Sequence, residues 1–333
     1  MRIWYDACTG KQVRYGSAIS QRLRKKGHQI IFTTRKHPDT IPLTKILNEE
    51  PIIVGEYKPS SLSSRLEESS KRIKKFSKMF QDNPPDIAIA HQSVELCRTA
   101  FGLGIPLILT ADTPHAFAVN RLTIPLASTV VVSKAIPPKF MREQCAKNII
   151  YFDGVDEVAW MKDFKPKPEL KLKKPLIIVR QIESKAVYVK NKSDYSELII
   201  KQLDPLGTVQ FIQRYKNKQK DSNNRGFIDT ANLASYADLV VSPGGTLARE
   251  AALQGVPSLI YSKIGKTYVN EYLAKKGFPI FFIKPQKILY YAKKFMGKLV
   301  DVSAKIQNLE NPVDKIEKIV QKISQEINIH NNQ

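Results

Sequence analysis

Short apolar runs alternate with amphipathic stretches from the start of the chain. Arg2–Tyr5, Gln29–Thr33, Pro51–Val54, Ile87–Ala90, Leu107–Thr110, Thr129–Val132 and Ile149–Phe152 read as buried strands of four or five residues. Several of the stretches between them carry a helical period. In Val13–Lys26, Val13, Ile19 and Leu23 mark one face, and Gly27 supplies a C-terminal stop. Leu62–Phe80 is the longest such stretch, basic on its outer side and closed by Pro84-Pro85. Strands alternating with helices imply βαβ units and a mostly parallel sheet.

The alternation pauses at residues 163–174, where two prolines interrupt a lysine-rich stretch without periodicity, as an exposed linker would. It then restarts. Leu176–Val179, Val209–Gln213, Leu239–Val241, Ser258–Tyr261 and Pro279–Ile283 are the expected strands, with helices over Tyr195–Gln202, Thr246–Gln254 and Val269–Lys276. Gln213–Arg225 reads as a polar loop. Val313–Ile327 sets Val313, Ile316, Ile319, Val320, Ile323 and Ile327 on one stripe, an amphipathic helix that needs a surface to pack on. The expected organisation is therefore an α/β domain over 1–162, the linker 163–174, a second α/β domain over 175–311, and a helical tail over 312–333.

Composition narrows the class. An apolar share of 42% and a charged share of 25% over 333 residues exclude wholesale disorder. No run approaches the length of a membrane span. The opening Met1–Gly10 has no apolar signal core. Three cysteines without CxxC spacing suggest neither a disulfide framework nor a zinc cage, so a reducing, cytoplasmic setting is expected. The net charge of +22 is spread over both halves, much of it lysine on helix faces such as Arg22–Lys26. Such a surface favours phosphate-bearing ligands at any cleft. Aromatic residues are not interleaved with the basic runs as stacking platforms would require, which disfavours nucleic acid.

In open parallel sheets ligands bind at the carboxyl ends of the strands. The polar residues that follow the expected strands are Asp6, His91, Asp112 and Ser133 in the first half, and Arg180, Arg214 and Ser242 in the second. The sharpest local motif is Ser242-Pro-Gly-Gly-Thr-Leu-Ala-Arg-Glu-Ala-Ala-Leu-Gln-Gly255. There a strand ends, Gly244 and Gly245 make a tight turn, and a helix opens near Thr246 with unpaired amides suited to a phosphate. Glu250 stands one turn further on, where a carboxylate could accept ribose hydroxyls; a plain tight connection with an exposed glutamate is the alternative. GxGxxG, Walker, HExxH and GxSxG patterns are absent, and the five histidines form no close pair, so no metal site is expected.

With these residues assembled, the chain resembles an archaeal family of GT-B-like proteins of unsettled activity. That family is distantly similar to UDP-N-acetylglucosamine 2-epimerases and to the bacterial lipid II-forming N-acetylglucosaminyl transferase. The segments that carry the resemblance are Asp6 with Gly10-Lys11-Gln12, Lys26–Arg35, Ala100–Pro106, Thr110–Ala116, Val119–Ala127 and Gly244–Ala252. It implies two Rossmann-like domains with mostly parallel sheets facing across a cleft, and a nucleotide-sugar donor held mostly by the C-terminal one. On that analogy Ser242, Gly244, Gly245 and Thr246 hold diphosphate and Glu250 the ribose, while Arg180 and Arg214 neutralise the leaving group. The N-terminal edge would supply the chemistry: Asp112 as first choice of base, then His91, with His115 and Asp6, and Lys11, Asn120 and Arg121 on the acceptor side. The leading expectation is a glycosyltransferase that uses a UDP-sugar as co-substrate, without metal or other cofactor. The alternatives are a sugar epimerase and a non-catalytic polyanion binder on the same scaffold. The acceptor and the oligomeric state stay open, as does peripheral contact of the basic Leu62–Phe80 helix with an anionic membrane at the inner face.

Overall fold

The computed structural model describes residues 1–167, 172–182, 194–213 and 227–331. The chain divides into two compact units. The first comprises Met1–Trp160 together with Glu310–Gln333, and the second is Met161–Leu309.

The first unit is built on seven strands: β1 (Arg2–Ala7), β2 (Gln29–Lys36), β3 (Ile52–Glu56), β4 (Ile87–His91), β5 (Leu107–Ala111), β6 (Thr129–Ser133) and β7 (Ile149–Phe152). They lie in the order β3-β2-β1-β4-β5-β6-β7, and every pairing is parallel. The direction of winding reverses between β1 and β4, which makes that boundary the switch point of the sheet. β4 and β5 are buried at every position, because helices cover both faces of a parallel sheet, and this is why they read as unbroken apolar runs. Trp4 anchors one face. Its ring packs 4.8 Å from Phe76 and 4.7 Å from Phe80, and its Nε1 donates to Thr33 Oγ1 at 2.9 Å.

The helix Pro312–Asn331 belongs to this unit. Val313, Ile316 and Val320 of its stripe are buried, and it packs on the helix Gly10–Arg24 and on β6 and β7. Arg22 reaches Asp314 and Glu317 at 2.8 Å each, and Lys26 reaches Glu317 at 3.1 Å. The tail helix thus finds its surface on the first sheet, across the whole intervening second unit in sequence.

The second unit carries β8 (Leu176–Arg180), β9 (Thr208–Ile212), β10 (Leu239–Ser242), β11 (Ser258–Ile260) and β12 (Ile280–Phe282), in the order β12-β11-β10-β8-β9 and again all parallel. Alternate residues of β8 serve opposite layers. Leu176 and Ile178 pack with Val240, Leu247 and Ala251 on one side, while Ile177 and Val179 pack with Ile199, Leu259 and Ile288 on the other. Here the switch point lies between β8 and β10. Both units are therefore parallel α/β layers, the GT-B-like arrangement. Of the expected linker, residues 168–171 lie outside the described residues, as does nearly all of the expected loop Gln213–Arg225.

Candidate functional site

At the carboxyl edge of the first sheet the polar residues sort into two groups with different surroundings. The first is centred on Asp6, near the end of β1 and 0% exposed. Its Oδ1 accepts from Arg72 at 2.7 Å and from Thr33 at 2.8 Å, and its Oδ2 accepts from Ser93 at 2.5 Å. Arg72, 1% exposed, also donates to the Val54 carbonyl at 2.8 Å and lies 3.1 Å from Glu95. Asp6 is thus the centre of a buried ion pair that ties β1, β2 and β3 to the helix Leu62–Met79. This corrects its expected catalytic role, because every side of the carboxylate is occupied by the fold. Burial, reinforced by Asp6, pushes the thiol of the neighbouring Cys8 up to about 12.

The second group converges on Lys11. Thr9 caps the helix Gly10–Arg24 and sets Lys11 in its first turn. The ammonium meets Asp112 just beyond β5, Asp156 at 3.0 Å and Glu157 at 3.4 Å. His91 ends β4, 5% exposed. Its Nδ1 lies 2.8 Å from Thr110 Oγ1 and 3.8 Å from Asp156, and its Nε2 lies 3.6 Å from Asp112. Gln12 donates to the His91 carbonyl at 2.6 Å, and the Tyr15 ring packs 5.5 Å from the imidazole. Asp112, Asp156 and Glu157 thus meet the Lys11 ammonium in a buried place. Burial raises the Asp156 carboxyl above the usual range; Lys11 and His91 oppose that rise, and Asp112 and Glu157 reinforce it. Ligand atoms of His91, Asp112 and Asp156 lie within 4.8 Å of one another, as do those of Asp6, Cys8 and Glu95, so either trio could take a cation by distance. Lys11 already places a positive charge against Asp112 and Asp156.

Asn120 was expected to meet an acceptor; it is 1% exposed and braces the site from within. It donates to the Thr113 and Pro114 carbonyls at 3.1 and 3.0 Å and accepts from Gln92. Gln92 holds a positive φ of 54° immediately after His91, a conformation that costs energy and persists only under such restraint. A shallow crease beside Asp112 is lined by Thr113, Pro114, Asn120, Ile136, Phe140 and Met141. His115 is half-buried in the turn after Asp112, and Arg121 is exposed. Asp112, His91 and Lys11 of the expected residues are therefore brought together. Asp156, Glu157 and Tyr15 were missed. The two acids follow β7, and the rule of polar residues beyond strand ends reaches them once it is carried to that strand.

In the second unit Ser242 ends β10, and its Oγ accepts from the Gly244 amide at 3.1 Å. Gly244 and Gly245 take φ values of 118° and 92°, which side-chain-bearing residues rarely adopt. The helix Thr246–Leu253 follows with no side chain capping its first amides. A Cβ on Gly245 would meet nothing within 4 Å, so the turn is open on that side. Glu250 differs from expectation. It is 1% exposed and its Oε2 accepts from Thr230 Oγ1 at 3.1 Å. The carboxylate is committed to the contact between the helices Thr230–Ala234 and Thr246–Leu253, and a ribose would have to displace Thr230 to reach it. Arg180 ends β8, on the other side of the switch point from Ser242. Arg214 lies outside the described residues.

These two sheets define the class, an α/β protein of GT-B-like fold. The chain belongs to the family described as "Protein of unknown function (DUF354)", whose model matches residues 1–325. It is 28% identical over 331 residues to the uncharacterized protein MJ0665 of Methanocaldococcus jannaschii, which covers 94% of this chain and 95% of that protein. Among solved structures it is similar to the Methanocaldococcus jannaschii UDP-GlcNAc 2-epimerase in complex with UDP-GlcNAc and UDP, with a TM-score of 0.69, 14% identity, and 97% and 100% of the two chains covered. The S. aureus MnaA structure with UDP gives a TM-score of 0.68 at 14% identity over 98% and 97% of the chains. The glycotransferase of kitacinnamycin gives 0.62 at 11% identity over 97% and 98%. At these identities the likeness is one of fold.

Proposed function

We propose that the chain is a nucleotide-sugar-dependent enzyme, a glycosyltransferase with a UDP-sugar donor and no metal requirement. The observation that carries this reading is the buried cluster of Lys11, His91, Asp112, Asp156 and Glu157 at the carboxyl edge of the first sheet. An acceptor hydroxyl attacks the anomeric carbon, and its proton passes to Asp112 or His91. The bond from that carbon to the diphosphate breaks with its electron pair, leaving UDP. The amides of Gly245 and Thr246 and the Arg180 side chain offset the charge that develops on the leaving group. Lys11 keeps Asp112 oriented, and the raised Asp156 carboxyl returns protons to the cluster.

A second reading is epimerisation, and the presence of several carboxyl groups in the cluster favours it. Removing and re-adding UDP at one sugar requires a proton to leave one ring carbon and to be returned there, which two acids can share. The acceptor of the transferase reading is unassigned. Contact with an anionic membrane remains part of the proposal, because Leu62 and Leu66 are 67% and 69% exposed on the basic helix Leu62–Met79. Among the described residues no helix is long and apolar enough to cross a membrane.

The test is a thermal-shift screen over nucleotides and nucleotide-sugars, followed by product analysis with and without added acceptors. UDP or a UDP-sugar is expected to raise the melting temperature. Sugar attached to an acceptor identifies a transferase, and an isomer of the donor identifies an epimerase. No shift with any nucleotide, together with salt-dependent binding of polyanions, would leave only the non-catalytic binder.

A further inference from the structure

The glycine turn of the second unit is held by a buried polar ring that the reading above does not use. Gly244 packs backbone to backbone on Gly265, in the loop after β11. A Cβ on Gly244 would lie 2.4 Å from Gly265 Cα, and one on Gly265 would lie 2.2 Å from the Pro243 carbonyl oxygen and 2.4 Å from Ile260 Cγ2. Nothing as large as a methyl fits between the two loops. What holds Gly265 in place is Asn270, 0% exposed in the first turn of the helix Tyr268–Lys275. Its Nδ2 donates to the Gly265 carbonyl at 2.7 Å, and its Oδ1 accepts from Arg249 Nη1 at 3.2 Å. Its own amide donates to Thr267 Oγ1 at 3.3 Å.

Arg249 belongs to the helix that the glycine turn opens. The contacts therefore close on themselves: from Gly244 through Thr246 along the helix to Arg249, across to Asn270, to the Gly265 carbonyl, and back to Gly244. A seat made of backbone amides can follow an anion only as well as those amides are fixed in direction beforehand. A buried amide side chain used at both ends is a rigid way to fix them.

We propose that Asn270 is a positioning residue for the anion seat of the second unit: by holding the Gly265 carbonyl and the Arg249 guanidinium together, it keeps Gly265 against Gly244 and sets the amides of Gly245 and Thr246 for a diphosphate. Its ligand rests on the nucleotide-sugar reading; its mechanics do not.

The decisive variant is Asn270→Asp. It keeps the size of the side chain and an acceptor for Arg249, but it turns an oxygen toward the Gly265 carbonyl in place of a donor. Binding of UDP and of inorganic pyrophosphate is measured by calorimetry, and hydrogen–deuterium exchange is followed over residues 243–247, in the full chain. The expected result is about tenfold weaker binding of both ligands, roughly 1.4 kcal/mol, with faster exchange confined to the turn and little change in the ligand-free melting temperature. Gly265→Ala, which leaves Asn270 in place and pushes directly on Gly244, is expected to weaken binding in the same way and covers the case in which the aspartate variant does not fold. Wild-type affinity in both variants would overturn the inference and leave the nucleotide reading standing. A wild-type chain that binds neither ligand would overturn the nucleotide reading. The exchange rates then decide the brace alone: unchanged rates over 243–247 in Asn270→Asp overturn it, and raised rates uphold it.

Discussion

The two candidate sites stand at equivalent places in their sheets, at or beside the carboxyl ends of the strands that flank a switch point, yet they are made of different material. In the first unit Lys11, His91, Asp112, Asp156 and Glu157 bring ionisable side chains from a helix start, a strand end and two loops into a buried cluster. In the second, a glycine turn whose first amide is held by Ser242 opens a helix, and Glu250 of that helix is turned inward to Thr230. Side chains of the first kind change charge with pH and with each other. Amides of the second kind do not titrate and depend only on geometry. Under the proposed function, proton transfer falls to the first unit and recognition of a fixed negative charge to the second.

The strongest way to break that contrast is to separate turnover from binding. Asp112→Asn is expected to lower turnover of a UDP-sugar by about a hundred- to ten-thousand-fold, the usual worth of a general base, while calorimetry finds UDP affinity unchanged. Gly244→Ala is expected to do the reverse. The added methyl meets Gly265 Cα at 2.4 Å at a φ of 118°, and UDP affinity should fall by more than about tenfold, each tenfold being roughly 1.4 kcal/mol, with the first unit unaffected. Arg72→Met sharpens the distinction within the first unit. It strands the Asp6 carboxylate, and denaturant unfolding should register a loss of about 3–5 kcal/mol, which marks that pair as structural and not catalytic.

A smaller effect is expected from pH. Burial raises the Asp156 carboxyl in the folded chain above its value in the unfolded chain. Between those two values the native state binds the extra proton, so stability falls as pH rises through that window and levels off above it. Asp156→Asn should flatten this slope in melting temperature against pH. The smallest effect belongs to Glu250→Gln, which keeps an acceptor for Thr230 and should leave the UDP-induced thermal shift within error of wild type.

Most strands of both sheets were legible in the chain because a parallel strand covered on both faces reads as a short unbroken apolar run, as in Ile87–His91 and Leu107–Ala111. Asp112, His91 and Lys11 were legible as polar residues near strand ends. Other assignments failed where a distant partner decides the environment. Asp6 looks like a site residue until Arg72, 66 positions away, is seen to bury it. Glu250 looks exposed until the short helix Thr230–Ala234, which carries no clear periodicity of its own, is placed against it. Asp156 and Glu157 were passed over because they lie several residues beyond β7, in a loop whose path back to Lys11 depends on the whole sheet. The packing of Gly265 on Gly244 is likewise tertiary, and nothing in either segment announces it.

The division of labour between the two units is tested most directly by measuring UDP affinity and UDP-sugar turnover side by side in the wild-type chain and in Asp112→Asn. The expected result is equal affinity in both, with turnover at least about a hundredfold lower in the variant. Turnover unchanged by the substitution, or UDP affinity that disappears with it, would contradict the assignment of proton transfer to the first unit and of the nucleotide to the second.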